Sequence, residues 1–274
     1  MSFGNALYRV WSYVRHNLTA WHSGGEGVHS PTLFYIVRMI IYDENAYYAY
    51  AHIEQQRKRL LRSKETLQQH DYGTGARASE GQQPKVITRS VSDVARTHLE
   101  SPKAGQLLFR LANYLTAAQG KSLTIVELGT SLGITTAYLA APDSRNAVQT
   151  YEGAEEVADV AMEVWRTLGL TNIEPVIGNI DDTLGDHCPK VVDLAYIDAN
   201  HTREATLRYF RQLLPAAREH SIFVLDDIHH SPEMEQAWHE IQAMKQVTST
   251  IDCYHLGLVF FNRHYLRKNY RIRI

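Results

Sequence analysis

The chain contains little cysteine. Cys188 and Cys253 are the only two in 274 residues. That argues against a disulfide framework and suits a reducing cytosol. Long apolar runs are also lacking. The longest near the N-terminus, "TLFYIVRMIIY", has 11 residues with Arg38 in its middle, where a bilayer span needs roughly 20. Arg9, Arg15 and His16 interrupt the first helical stretch, and no apolar region with a small-residue cleavage site follows, so it does not read as a signal peptide. Strong net charge is absent as well. The formal value is -2, so no global field draws in nucleic acid. There is no internal repeat and no low-complexity tract. The expectation is a cytoplasmic protein with no membrane partner, 44% hydrophobic, which allows one large domain or one domain with an appended piece.

The pattern that is present changes near residue 105. Before it the spacing predicts helices. Leu7, Val10, Trp11, Val14 and Leu18 recur at helical intervals, as do Phe34, Val37, Ile40 and Ile41. Ser30 and Pro31 supply a cap and a first turn. The basic stretch "QQRKRLLRSK" continues as a solvated helix. Trp11, Trp21, Tyr47, Tyr48 and Tyr50 are expected to pack these helices or to bound an apolar substrate pocket. "HDYGTGARASEGQQPK", residues 70–85, is polar, Gly-rich and aperiodic. It reads as a surface loop or as a lid over a ligand.

From residue 105 helices and strands alternate. The strands are "SLTIVELG", "AVQTYEG", "IEPVIGN", "VVDLAYIDA", "SIFVLDD" and a final region in "STIDCYHLGLVFF". Helices of 10 to 16 residues separate most of them, one closed by Gly169. Such alternation predicts right-handed βαβ units and a mostly parallel sheet. Ligands of these sheets bind outside the carboxyl ends of the strands. There the sequence places Glu127, Glu152, Asp181, Asp198, Asp226 and Asp227. Six carboxylates on one rim would repel one another, so a ligand with hydroxyls, amines or positive charge is expected.

"VELGTSLGITTAYLA" places Gly129 and Gly133 ahead of a helix, where small residues admit close ligand approach. Glu152 ends the next strand, placed to accept both hydroxyls of an adenosine ribose. A nicotinamide dinucleotide favours G-x-G-x-x-G with its pyrophosphate on the helix N-terminus. Here only two glycines occur, and a carboxylate at 127 would oppose phosphates. It suits S-adenosylmethionine, which has a cationic end and no phosphate.

Together "VELGTSLGITTAYLA", "YEG", "GN" and "YIDANH…LLP…FVLDDI" resemble the class I S-adenosylmethionine-dependent methyltransferases, and among them the catechol and caffeoyl-CoA type O-methyltransferases. The resemblance runs from about "ESPKAGQLLFRL" to "LGLVFF". It implies a Rossmann-like α/β fold with seven strands in the order 3-2-1-4-5-7-6. It also implies a methyltransferase domain over 96–274, preceded by a helical extension over 1–95 that caps the site and sets substrate choice. Glu127, Gly129, Thr130, Ser131 and Gly133 would hold the methionine part of the cofactor. Glu152 and Gly153 would take the ribose, and Asn179 and Ile180 the adenine.

In metal-dependent members an Asp after the fourth strand and an Asp-Asn pair after the fifth bind Mg²⁺ or a similar cation. Asp198, Asp226 and Asp227 match those positions, with Asp in place of Asn. A Lys three residues after the first Asp acts as base in the catechol enzymes. His201 stands there, with a pKa better suited to the task near neutral pH. The implied reaction is methyl transfer to a small-molecule hydroxyl, with Asp198 also beside the cofactor. Asp226 and Asp227 as caps of the next turn, and Asp198 as a loop brace, remain open alternatives, and so does a metal-free enzyme. His29, His229 and His230 read as pocket residues or as parts of helix starts. The basic tail "NRHYLRKNYRIRI" reads by default as a solvated end, and otherwise as a surface for an acidic substrate, nucleic acid or a second subunit of a homodimer. Competing functions are an RNA methyltransferase, for which no Asn-Pro-Pro-Tyr type motif or RNA-binding module is present, and a non-catalytic cofactor-binding scaffold.

Overall fold

The computed structural model describes residues 3–71 and 85–274. Most of the stretch expected as a loop or lid lies outside them. Elements are numbered here in chain order. Contacts gather the chain into two units rather than dividing it at residue 95. One holds residues up to 44 together with 189–274, the other residues 45–188.

The first unit opens with α1 (Phe3–Thr19) and α2 (Pro31–Tyr35). Ser30 caps α2 as expected, accepting from the Leu33 amide. The backbone then widens into a π-helical turn over Ile36–Ile41, which buries Ile36, Val37, Ile40 and Ile41 and leaves Phe34 outward.

Residues 45–188 carry α3 (Tyr48–Leu61), the hairpin β1 (Thr66–Asp71) and β2 (Lys85–Ser90), α4 (Val91–His98), α5 (Pro102–Gln119), β3 (Thr124–Leu128), α6 (Ile134–Ala140), β4 (Ala147–Glu152), α7 (Glu155–Leu168), β5 (Ile173–Ile177) and α8 (Ile180–His187). The hairpin pairs Thr66 with Ser90 and Asp71 with Lys85. It is absent from the sequence reading, because its strands are polar. β3, β4 and β5 are parallel neighbours in that order, the expected 3-2-1. One core joins this unit. Ile53 and Leu60 of α3, Val91 and Val94 of α4, and Phe109 of α5 pack with Tyr138, Val164 and Trp165. Each such side chain contributes about 1.5–3 kcal/mol on burial. Residues 45–95 are therefore bound to this half by its core. Tyr47 and Tyr50 pack against Phe109 as expected, whereas Tyr48 is exposed.

Residues 189–274 add β6 (Val192–Ile197), α9 (Arg203–Leu213), β7 (Ala217–Leu225), α10 (Pro232–Ala243), β8 (Ser249–Asp252), β9 (Gly257–Phe260) and β10 (Lys268–Arg271). Their order is β6-β7-β9-β8-β10. β6 and β7 are parallel, β9 is antiparallel to both β7 and β8, and β10 runs parallel to β8. The first four reproduce the expected 4-5-7-6. The count rises from seven to eight by the edge strand β10, in a Rossmann-like α/β fold.

β10 corrects the reading of the tail as solvated. Tyr270 and Ile272 alternate with basic residues and are buried. The Arg271 Nε lies 3.2 Å from Asp252 and its guanidinium also donates to Thr19. The Lys268 ammonium donates to the Gly27 carbonyl and Arg267 to the carbonyls of Ala243 and Met244. These cations serve the fold.

A buried polar hub anchors this unit. Asp252, at the end of β8, accepts from His229 Nε2 at 3.0 Å and from the Tyr254 amide at 3.0 Å, with His16 Nδ1 at 3.2 Å. Burial alone would raise its pKa. The hydrogen bonds and charges of His16 and His229 outweigh that and hold it well below the usual carboxylate range. His229 thus belongs to the interior and not to a pocket, and His29 is exposed.

Candidate active site

In the unit 45–188 the expected cofactor residues gather at the carboxyl ends of β3, β4 and β5. The turn after β3 is held by the Gly129 and Thr130 amides, both donating to the Tyr151 carbonyl. Ser131 adopts φ 48 and Gly133 φ 75. Glu152 links this turn to the next. Its carboxylate accepts from the Ser131 amide at 2.9 Å and the Ala154 amide at 3.0 Å. Burial raises its pKa against the lowering effect of those amides. A Cβ added to Gly153 would meet no atom within 4 Å, so open space lies beside Glu152. The Ser131 hydroxyl is shielded from solvent and has no partner. Asn179 caps α8 by accepting from the Asp181 amide, and Ile180 begins that helix.

Two expected cofactor residues have structural reasons of their own. Gly133 is set by packing: an added Cβ would lie 2.6 Å from the Trp165 Nε1 and 2.7 Å from the Ala161 Cβ, in a left-handed backbone. Gly133→Ala should lower stability by about 3 kcal/mol. A urea midpoint unchanged from the parent would count against this account.

Glu127 is 0% exposed, which corrects its placement on an acidic rim. Strand β3 is covered on both faces, so its one carboxyl is enclosed. Its Oε2 accepts from Thr136 at 2.5 Å and Thr150 at 2.6 Å, and Thr150 also meets Thr130 at 2.6 Å. Burial pushes its pKa up to about 8, against those two hydroxyls. The group is therefore mostly protonated at neutral pH and braces the turn from behind. The folded state keeps a proton that the unfolded chain releases near the ordinary value, so stability should fall as pH rises from about 4.5 to about 8 and level off above. Glu127→Gln should flatten that profile in urea titrations across this window. An unchanged slope would remove Glu127 as its source.

In the other unit, Asp198 and Asp226 follow β6 and β7, and the Asp226 amide donates to the Ile197 carbonyl. One ligand atom each from Asp198, His201 and Asp226 fall within 4.8 Å of one another. His201 Nε2 lies 3.3 Å from Asp198 Oδ1, with Asn200 at φ 50 setting the bend between them. Asp227, also at positive φ, departs from the expected metal set. Its oxygens lie 3.1 Å from His230 Nδ1 and 3.8 Å from His255 Nδ1. Burial would raise its pKa, but the His255 hydrogen bond and the charges of His201, His230 and His255 hold it low. The His230 ring stacks on His201 at 5.9 Å. Ser231, not Asp226 or Asp227, caps α10. His255 was not a candidate from sequence, since "CYHLG" carries no motif. Thr136 and Thr150 carry no sequence signal either, because nothing in their spacing marks them as partners of residue 127.

Comparisons with known proteins bear on the fold that carries this site. Residues 126–228 match the family model of a methyltransferase domain. No curated protein matches the chain. Among solved structures, an O-methyltransferase from Bacillus cereus in complex with SAH is 16% identical, covers 80% of this chain and 93% of its own, and has a TM-score of 0.54. The SAH-bound methyltransferase PaMTH1 of Podospora anserina is 11% identical over 85% and 97%, with a TM-score of 0.56. TomG of Streptomyces achromogenes, an O-methyltransferase involved in tomaymycin synthesis and solved with SAM, is 19% identical over 60% and 82%, with a TM-score of 0.51. The fold is the one shared with these solved methyltransferases, and residues 126–228 are similar to a methyltransferase domain. No helix among the described residues is long and apolar enough to cross a membrane.

Proposed function

We propose that the protein is an S-adenosylmethionine-dependent O-methyltransferase of small molecules, assisted by a divalent cation. The observation that carries the reading is Glu152: a carboxylate ending β4, tied to the turn after β3 and bordered by open space at Gly153. The partnerless Ser131 hydroxyl is a donor that a bound nucleoside or amino acid would satisfy. Glu152 takes the ribose, the turn 129–133 the methionine part, and Asn179 with Ile180 the adenine. When bound, S-adenosylmethionine supplies an electrophilic methyl on a sulfonium.

Two carboxylates, with the His201 imidazole within 4.8 Å of them, offer hard oxygen donors that suit a divalent cation. Asp198 and Asp226 hold it, and Asp227 stays with His230 and His255. A cation there would lower the pKa of an acceptor hydroxyl. His201 Nε2 lies 3.3 Å from Asp198 Oδ1; in the tautomer with its proton on Nε2, Nδ1 would accept the hydroxyl proton. Acceptor choice falls to residues 1–95, and the location is cytoplasmic. The test is calorimetric titration with S-adenosylhomocysteine, followed by methyl transfer to a panel of small hydroxylated acceptors with Mg²⁺, Mn²⁺ or EDTA. Absence of binding would refute the cofactor. Transfer indifferent to EDTA would refute the cation.

A further inference from the structure

The helix α1 is mounted with its polar side inward. Ser12 and His16 are 1% and 3% exposed, whereas Leu7, Trp11, Leu18 and Trp21 are 59%, 56%, 72% and 76% exposed. Val10, Tyr13 and Val14 are outward too. Of the two expectations for Trp11 and Trp21, this corrects packing among the N-terminal helices.

The orientation is fixed by specific bonds. His16 Nε2 meets the Ile272 carbonyl at 3.0 Å, and Ser12 meets the Tyr254 hydroxyl at 3.1 Å. Tyr8 and Arg15 both donate to Glu235. The helix cannot roll its apolar side inward without breaking this set and leaving buried polar groups unpaired. The stripe is therefore held toward solvent by the fold itself.

We infer that this face is where a second copy of the chain docks. Positions 7, 11, 14 and 18 of α1 alternate spacings of four and three, the 3.5-residue period of a seam between two helices, and the exposed Trp21 lies just beyond the helix end. The exposed side chains from Leu7 to Trp21 present on the order of 800 Å², about one partner's share of a standard interface. That exceeds the largest apolar patch usual on a monomer. Charge selects the occupant. α1 contains no acidic residue, and Arg15 is spent on Glu235 while its guanidinium lies 4.5 Å over the Trp11 ring. The outward face therefore carries no uncompensated charge to repel a second copy of itself. A membrane-surface helix instead carries a polar face rich in outward Lys and Arg, and the inward side of α1 is filled by Ser12 and His16.

The test is sedimentation velocity of the full chain and of a Val14→Glu/Leu18→Glu variant, from about 1 to 100 μM. The expected result is a dimer for the parent. The variant should be monomeric, with its dissociation constant raised at least about 100-fold, and with unchanged thermal unfolding and S-adenosylhomocysteine affinity. The altered side chains are exposed and lie outside the cofactor set, so those two readouts separate lost association from lost folding. A monomeric parent over this range would overturn the inference. So would a dimer indifferent to the two glutamates, or a monomer that co-sediments with phosphatidylglycerol vesicles.

Discussion

Glu152→Gln should weaken S-adenosylhomocysteine binding by about 100-fold while the protein stays folded. The carboxylate accepts amides from two segments, Ser131 and Ala154, and retains acceptor capacity toward the space at Gly153. A ribose diol would donate two hydrogen bonds to it. Hydrogen bonds to a charged group contribute about 1.5–3 kcal/mol each, and 1.4 kcal/mol is a factor of ten. Gln keeps the shape but loses the charge, and its amide nitrogen presents hydrogens where an acceptor is needed. Calorimetry should show the loss, with the unfolding midpoint lowered by only a few degrees, since the new NH2 must face either the Ser131 or the Ala154 amide. Affinity within threefold of the parent would remove Glu152 from the ribose and with it the main support for the cofactor assignment.

Asp226→Asn should lower kcat by at least about 1,000-fold and leave S-adenosylhomocysteine affinity within twofold. A cation that lowers the pKa of a bound hydroxyl is worth several kcal/mol of barrier. Asn matches the buried shape of Asp226 but halves the carboxylate charge of the cluster with Asp198. The split matters, because the substitution alters none of the residues proposed for the cofactor. Calorimetric Mn²⁺ binding should be lost in parallel. A variant retaining a tenth of parental turnover would show that the cluster orders the loops rather than serving the chemistry.

Much of this arrangement was legible from sequence for a simple reason. β-branched runs such as "SLTIVELG" and "SIFVLDD" end in polar residues, and parallel strands covered on both faces expose side chains mainly at their carboxyl ends. Glu152, Asp198 and Asp226 follow from that rule. Glu127 does not, since it sits one residue before a strand's end and its partners Thr136 and Thr150 are nine and 23 positions away. Hydropathy also misassigned α1. A stripe of Leu, Val and Trp signals a face that wants cover, but not whether the fold or another molecule provides it. The pairing of Asp227 with His230 and His255 is equally hidden, because it depends on a backbone turn at positive φ.

The hub around Asp252 also has a consequence for biosynthesis. His16 is synthesised well before its carbonyl partner Ile272, which is 256 positions further on. At roughly 5–20 residues per second, the first helix spends on the order of 10–50 s without its docking groove, the partners of Ser12 and His16 not yet made.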